Sequence, residues 1–244
     1  MRVLPVLVAL CCAGPPSVAR AQGKTYVIKP GQKSWTHFGK SHYYRSKRPK
    51  RPLGLVQLKS GAGFVVSNPK RAWGTRLAVY RINMVMASYR QRFPKSQPVI
   101  VLDMSKRGGG PLHGHMTHMD GRDADIPLVL EQVPDITKVT QRIVDLERTW
   151  YLLKAFVDSC DVDYIFLDRD LQRLLREHAQ LKGHSAEELG LIVQYPASVR
   201  SVTGLVRHWP NHKDHMHVHF RQERTPQLPA AKRYCEWKRR KPAP

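Results

Sequence analysis

The sequence predicts an α+β fold, a small antiparallel β-sheet core with flanking helices. Several stretches place apolar residues at helical spacing, and short runs rich in β-branched and aromatic residues lie between them. The connections near two histidine-rich segments are short. Short connections favour antiparallel neighbours over the long crossovers of a doubly wound parallel sheet, so we expect helices beside a small antiparallel sheet.

The first half of the chain predicts two strands with a helix between them. Two glycines beside residues 64–66 indicate a turn followed by a short strand. Thr75 is a candidate helix cap, and Pro94 ends the helix that follows. The predicted buried stripe of this helix is Val79, Ile82, Met86, Tyr89 and Phe93. Residues 99–102 predict the second strand, and residues 105–111 a glycine-rich loop.

The second half predicts three more helical segments and two strands. A long helix is expected over about residues 136–157, and residues 164–167 read as a strand. One of the two aspartates that follow starts a third helix, which covers about residues 168–179. Residues 185–189 predict one further helical turn with a capping box, and residues 215–220 the final strand.

Residues 1–21 are interpreted as a signal peptide. Arg2 supplies a positive charge, residues 3–14 form an apolar run too short to span a bilayer, and residues 19–21 (Ala-Arg-Ala) form a small-x-small cleavage site. The competing interpretation is an N-terminal membrane anchor. A signal peptide predicts an exported protein, with the periplasm as the expected compartment.

The rest of the chain divides into three parts by composition. Residues 22–58 predict a basic, largely irregular arm, residues 59–224 the domain that contains both histidine-rich segments, and residues 225–244 a basic tail. Beyond the signal peptide only Cys160 and Cys235 are cysteines. An oxidising compartment permits a disulfide between them, but the sequence does not place their Cα atoms within bonding distance.

The formal net charge of +22 predicts attraction to polyanions. Basic residues concentrate in residues 45–51 and 238–241, and each run also fits a solvated, disordered segment. Export favours an anionic cell-wall or membrane surface as the electrostatic partner. No nucleic acid is expected as a partner, although salt-sensitive DNA binding is the third hypothesis that the charge leaves open.

Eight of the twelve histidines lie in residues 113–125 and 208–220. These two segments combine imidazoles with carboxylates and contain no cysteine. Zinc sites with two histidines, one carboxylate and an open fourth position are typically catalytic, because the open position holds water. The clustering therefore favours an enzyme with one catalytic Zn²⁺.

Residues i and i+2 of a β-strand point to the same face. His215, His217 and His219 are therefore expected on one face of the final strand, and Asp123 and Asp125 are related in the same way. A His-x-His pair can place one imidazole on a metal and its neighbour beside the bound water.

The joint pattern makes His118, Asp125 and His217 the candidate ligands. Asp123 is expected to orient a neighbouring histidine, because ligating imidazoles usually donate their other N–H to a carboxylate or carbonyl. Three further histidines of the clusters are interpreted as surface or hydrogen-bonded core residues: His113, His208 and His219. Trp209 is interpreted as a packing residue.

The paired motifs resemble the penicillin-insensitive murein endopeptidases. The first motif is His-x-x-His-x-x-Gly-x-Asp-x-Asp over residues 115–125, and the second is His-x-x-His-x-His-Val over residues 212–218. Three further segments resemble that family: residues 72–75, 105–111 and 164–167. The family belongs to the zinc peptidases that include lysostaphin-like and D-Ala-D-Ala-cleaving enzymes.

The resemblance implies a role for each matching histidine. By match, the zinc ligands are His118, Asp125 and His217. His215 matches the residue beside the zinc-bound water, which makes it the expected general base. His115 and His212 match other active-site positions; His212 is expected to share the proton transfer or to hold the oxyanion, and His115 is a candidate additional metal ligand.

The chain departs from the family at several positions. Thr117 stands where a serine is usual, and His219 stands where an arginine often follows the motif. Some relatives have a second metal site built from the position of His115 and an Asp-x-x-His motif. After Asp145 this chain has Arg148 at the corresponding spacing, so a complete second site is not expected.

The function implied by the resemblance is that of a zinc-dependent murein endopeptidase. Such an enzyme hydrolyses D-alanyl–diaminopimelyl peptide cross-links of peptidoglycan by attack of a zinc-activated water. Arg107 or another basic side chain is expected to bind a substrate carboxylate. Two alternatives remain: a D-Ala-D-Ala carboxypeptidase of the same superfamily, and a non-catalytic secreted protein that binds metal or cell wall.

Overall fold

The structure is a computed structural model that describes residues 27–28, 54–131 and 142–241. The predicted signal peptide (residues 1–21) and most of the predicted arm (residues 22–58) lie outside the described residues.

Helices and short strands alternate along the described chain. The strands are β1 (Val27–Ile28), β2 (Val56–Gln57), β3 (Phe64–Val66), β4 (Trp73–Gly74), β5 (Val99–Val101), β6 (Asp123–Pro127), β7 (Arg142–Ile143), β8 (Val162–Phe166), β9 (Val206–Arg207) and β10 (His215–Phe220). The helices are α1 (Arg76–Arg92), α2 (Leu146–Asp158), α3 (Arg169–Leu181), α4 (Ala186–Ile192) and α5 (Pro229–Arg240), with a 3₁₀ turn at Pro69–Arg71.

The main sheet has four strands in the order β6-β10-β8-β9. Strand β10 pairs antiparallel with both β6 and β8, while the edge strand β9 runs parallel to β8. Three two-stranded pairs complete the sheet structure of the described residues: β1 with β7, β2 with β4, and β3 with β5. The α+β class is therefore confirmed, with β9 and the β3–β5 pair as parallel additions to the predicted antiparallel sheet.

The two faces of the main sheet differ in chemistry. All six residues of β10 are buried. Met216 and Val218 belong to the apolar core, as does Ile165 of β8, whereas the alternate residues of β10 are histidines. Phe220 meets Phe156 of α2 edge-on, with ring centroids 6.0 Å apart. One face thus packs against helices, which leaves the other face free to carry polar chemistry.

Helix α1 begins where the sequence predicts. The hydroxyl of Thr75 accepts a hydrogen bond from the backbone N–H of Ala78 at 3.2 Å, which satisfies one of the N–H groups left unpaired at a helix start. Ile82, Met86 and Tyr89 of the predicted stripe are buried. This end of α1 is tied to the loop before β6, because Thr75 N–H donates to the carbonyl oxygen of Gly121.

Helix α2 is shorter than the expected helix over residues 136–157. It begins at Leu146, because the Asp145 side chain accepts from the backbone N–H of Arg148 at 2.9 Å and caps the helix there. Residues 142–143 form β7 instead, and residues 132–141 lie outside the described part of the chain. The apolar spacing in residues 136–157 predicted one continuous helix. Residues 142–143 instead pair as a strand with residues 27–28, a contact that the local spacing does not reveal.

The later helices follow their predicted caps. The side chain of Asp168, the first of the two candidate aspartates, accepts from the N–H of Asp170 and starts α3. Ser185 accepts from the N–H of Glu188 at 3.1 Å and starts α4. In the described residues no helix is both long and apolar enough to span a bilayer.

Packed structure extends past both ends of the predicted domain of residues 59–224. Residues 56–57 form β2, and Leu58 is buried in the core. Within the predicted tail, α5 packs Tyr234 and Cys235 into the core. Cys235 forms a disulfide with Cys160, with Cα atoms 5.8 Å apart, so the basic helix is covalently attached to the end of α2.

Candidate metal centre

The pairing of β6 with β10 brings the two histidine-rich segments together. Asp125 and His217 are direct cross-strand partners, as are Asp123 and His219. His118 comes from the loop before β6, where Gly121 has a φ of +76°. A Cβ at Gly121 would lie 3.0 Å from the Cα of Gly74, so the close approach of these two segments requires glycine.

Two neighbouring groups of ligand atoms could hold a metal ion. They comprise His115, His118 and Asp125 in one group, and Asp123, His217 and His219 in the other. The ligand atoms of each group lie within 4.8 Å of one another.

The three predicted zinc ligands form a tighter triangle that crosses these two groups. His118 Nε2 lies 3.2 Å from both Asp125 Oδ1 and His217 Nδ1, and the latter two atoms are 2.9 Å apart. Ligands about 2.0–2.2 Å from a tetrahedral zinc ion are separated by roughly 3.3–3.6 Å. The observed triangle needs only a few tenths of an ångström of expansion to hold such an ion.

Each histidine of the triangle is held by a hydrogen bond on its other ring nitrogen. His118 Nδ1 donates to the carbonyl oxygen of Met104 at 2.6 Å. His217 Nε2 lies 3.0 Å from Asp123 Oδ1, which also lies 2.5 Å from His219 Nδ1. A metal-binding imidazole typically makes a contact of this kind, and it fixes the nitrogen that faces the ion. Asp123 thus has the geometry expected of an orienting carboxylate.

The electrostatics of the centre favour charged side chains despite burial. Burial lowers the pKa of His217, but hydrogen bonds and charge interactions with Asp123 and Asp125 outweigh it and raise this pKa to about 10. Burial likewise lowers the pKa of His118, while the charge of Asp125 raises it above its ordinary value overall. Burial raises the pKa of Asp125, but the neighbouring histidines hold it well below its usual range. In the metal-free protein, His118 and His217 are therefore expected to hold protons at the place where a metal ion would bind.

His215 lies next to the triangle with its ring oriented by a carboxylate. Its Nδ1 lies 2.7 Å from Asp214 Oδ1, and its Nε2 lies 3.8 Å from Asp125 Oδ1. If Nδ1 carries the proton shared with Asp214, the lone pair of Nε2 faces the metal centre.

His212 lies beside both His215 and His217. Its ring centroid is 4.9 Å from that of His215, and its Nδ1 donates to the carbonyl oxygen of Pro210 at 2.9 Å. Burial, and then the nearby His215 and His217, lower the pKa of His212 to about 4. A neutral imidazole is thus expected here at neutral pH, with its Nδ1–H committed to the backbone.

A second carboxylate, Asp103, holds His115 beside the triangle. His115 Nε2 lies 2.8 Å from Asp103 Oδ2, and its Nδ1 lies 3.6 Å from Asp125 Oδ2. The other oxygen of Asp103 pairs with Arg71 Nε at 3.0 Å. Sequence reasoning missed Asp103, although it directly follows a predicted buried strand, where polar residues often line a site.

Other candidate residues serve different contacts. Asp145 forms an ion pair with Arg148 at the start of α2. Arg107 is exposed, with its guanidinium 5.7 Å from the ring centroid of Trp73. His208 Nδ1 accepts from the backbone N–H of Arg169.

His219, interpreted as a surface or hydrogen-bonded core residue, is buried and is hydrogen-bonded to Asp123. Trp209, interpreted as a packing residue, is 40% exposed and stacks on Phe166. His113 is exposed, and its carbonyl oxygen accepts a hydrogen bond from the Arg71 side chain.

Comparison with known proteins identifies no family for this chain. No protein-family model matches the chain, and no curated protein matches it significantly in sequence.

Proposed function

We propose that the protein is a zinc-dependent peptidase that cleaves peptide cross-links of peptidoglycan. The observation that carries the proposal is the buried triangle of His118 Nε2, Asp125 Oδ1 and His217 Nδ1, with sides of 2.9–3.2 Å. Two imidazoles and one carboxylate are the protein ligands of many catalytic zinc sites, which keep a fourth position open. A zinc ion bound there would lower the pKa of a water molecule and polarise a peptide carbonyl.

The residues around the triangle would supply proton transfer. His215 is the general base in this proposal, because Asp214 orients its ring and leaves Nε2 directed at the centre. The same imidazole would then deliver that proton to the amide nitrogen, so that the C–N bond breaks with a neutral amine as the leaving group. His212 is the second proposed catalytic residue. Its Nε2 is the ring atom available to the substrate, since Nδ1 donates to the backbone.

The substrate class rests on the resemblance of the two motifs to murein endopeptidases. The spacings in residues 115–125 and 212–218 place every proposed ligand and both catalytic histidines at matching positions. The proposed bond is the D-alanyl–diaminopimelyl cross-link. The net charge of +22 fits an acidic wall polymer or membrane surface as partner, and the proposed signal peptide fits action in the periplasm.

The test is digestion of purified peptidoglycan by the protein lacking residues 1–21, with products identified by mass. We expect cross-linked dimers to become monomers, a chelator to stop the reaction, and added zinc to restore it. The matched variant His217→Ala should lose zinc-dependent cleavage, while His208→Ala, a histidine outside the triangle, should retain it.

The products also separate the alternatives. Loss of only a terminal D-Ala would replace the endopeptidase with a carboxypeptidase of the same superfamily. Intact dimers and intact termini from a folded, zinc-loaded protein would contradict the enzyme proposal and leave a metal-binding or wall-binding protein.

A further inference from the structure

The sheet face that carries the metal centre continues across two more strands. Asp125 of β6 pairs with His217 of β10, His217 pairs with Phe166 of β8, and Phe166 pairs with Arg207 of β9. Cross-strand partners place their side chains on the same face. One row of side chains therefore runs from the proposed zinc ligands to an arginine at the sheet edge.

Aromatic rings cover the middle of this face. The aromatic strip, as we call it, consists of Tyr164, Phe166 and Trp209. The ring of Phe166 lies 4.6 Å from Tyr164, 5.1 Å from Trp209 and 5.7 Å from His217, centroid to centroid. Trp209 is 40% exposed and the two other rings are partly buried. The strip thus offers a partly open apolar surface that begins in contact with a proposed zinc ligand.

Arg207 ends the row as a cation without a carboxylate partner among the described residues. Its guanidinium lies 5.9 Å from the ring centroid of Tyr164, which places it on the same face as the strip. Nε donates to the carbonyl oxygen of Gly204 at 3.3 Å. Burial lowers the pKa of Arg207, and the charge of Arg233 adds to this effect, although Tyr164 and Asp163 act in the opposite direction.

Three other partly buried arginines of the fold have structural partners. Arg81 and Arg221 both bind Asp161, and Arg169 donates to the carbonyl oxygens of Pro196 and Ala197. A guanidinium matches the geometry of a carboxylate in a two-point hydrogen bond. Arg207 therefore has the chemistry of a binding group for an acidic ligand.

The distance to the metal centre fits a peptide substrate. Neighbouring strands lie about 4.8 Å apart, so Arg207 is roughly 10 Å from His217 along the row. An extended peptide covers about 3.3–3.6 Å per residue, so three residues span this gap. A ligand chain bound at the centre and lying across the strip would bring a group about three residues away to Arg207.

We propose that Arg207 and the aromatic strip form a substrate subsite that binds a free carboxylate about three residues from the bond that is cleaved. This inference rests on the proposed function, because it extends that substrate from the metal centre across the same sheet face. The ligand class is an acidic peptide, with its carboxylate on Arg207 and its apolar atoms over the aromatic strip.

Equilibrium binding tests the subsite without catalysis. Uncross-linked muropeptide monomers with free carboxylates, and the same monomers with amidated carboxylates, are titrated calorimetrically into the purified protein with and without zinc. The wild type should bind the free-carboxylate form about tenfold more tightly, as expected for one hydrogen-bonded charge pair. Arg207→Gln should remove this preference, Arg207→Lys should restore part of it, and Arg200→Gln, at an exposed arginine with no ion pair in the described chain, should leave it unchanged.

Kinetics with cross-linked dimers separates failure of the subsite from failure of the proposed function. Arg207→Gln should raise KM about tenfold for free-carboxylate dimers, with zinc content unchanged and with little effect on amidated dimers. If the wild type cleaves dimers but Arg207→Gln has the same KM and the same monomer affinity, the subsite is refuted while the function stands. If the zinc-loaded wild type cleaves no dimer, the proposed function is refuted. Calorimetry then decides on Arg207 alone: a carboxylate preference that is present in the wild type and lost in Arg207→Gln still supports it as a binding group.

Discussion

Replacement of Asp123 by asparagine should weaken zinc binding without removing a zinc ligand. Asp123 is 1% exposed, and its Oδ1 lies 3.0 Å from His217 Nε2 and 2.5 Å from His219 Nδ1. The amide of asparagine keeps an oxygen acceptor but loses the negative charge that favours protons on both rings. Loss of such an orienting partner typically costs 10–100-fold in metal affinity. This corresponds to about 1.4–2.8 kcal/mol of zinc-binding free energy.

The assay is competition for zinc between the protein and a chromogenic chelator, with thermal unfolding followed by circular dichroism. Asp163→Asn is the matched control. Asp163 is also buried and lies on β8, and its Oδ1 is 3.5 Å from the backbone N–H of Leu228, away from the triangle. Asp123→Asn should lose affinity and the control should not. Equal zinc affinity in wild type and Asp123→Asn, or an equal loss in both variants, would refute the orienting role.

Three other predictions concern proton transfer, pH and stability. His215→Ala should keep its zinc yet lose about 10²–10⁴-fold in turnover, and loss of zinc with the activity would make His215 a ligand. Because the pKa values of His217 and His118 are raised in the metal-free protein, zinc must displace protons, so zinc affinity should fall as pH falls. Calorimetry in buffers of different ionisation enthalpy measures that release, and binding without proton release would contradict it. Cys235→Ser should lower the free energy of unfolding by about 4 kcal/mol in denaturant titrations, since the disulfide spans 75 residues; unchanged stability would show that Cys160–Cys235 is dispensable.

Local signals in the sequence predicted much of the fold. Thr75 and Ser185 are helix caps whose hydrogen bonds involve residues three positions away, so their effect is visible in a short window. The alternation in residues 215–220 predicted the bounds of β10, because each second side chain belongs to the apolar core.

Elements defined by distant contacts were predicted less well. Strand β9 has two residues and exists through its pairing with β8, about 40 residues earlier in the chain. Helix α5 carries a strongly basic surface, which made residues 225–244 look like a solvated tail. Its burial depends on Tyr234 and on the disulfide of Cys235, whose partner lies 75 residues away.

The residues of the candidate site also divide into those that a local sequence pattern predicted and those that only distant contacts bring to the site. His118, Asp125 and His217 were predicted from the joint pattern of the two segments and from the family that this pattern resembles, and their ligand atoms lie within 3.2 Å of one another in the structure. Asp103 was missed because it belongs to neither histidine-rich segment and reaches His115 only through the fold. Arg207 was missed for the same reason, since its place on the sheet face depends on the parallel pairing of β9.

The most direct test of the central claim is a zinc titration of activity on a defined cross-linked muropeptide dimer. Metal-free protein is supplied with increasing zinc, and bound metal and released monomer are measured in the same samples. The account predicts no cleavage without metal, a rise in rate that saturates at one zinc per chain, and neither binding at this site nor cleavage in His217→Ala. Cleavage by metal-free protein, or intact dimer when one zinc is bound, would contradict it.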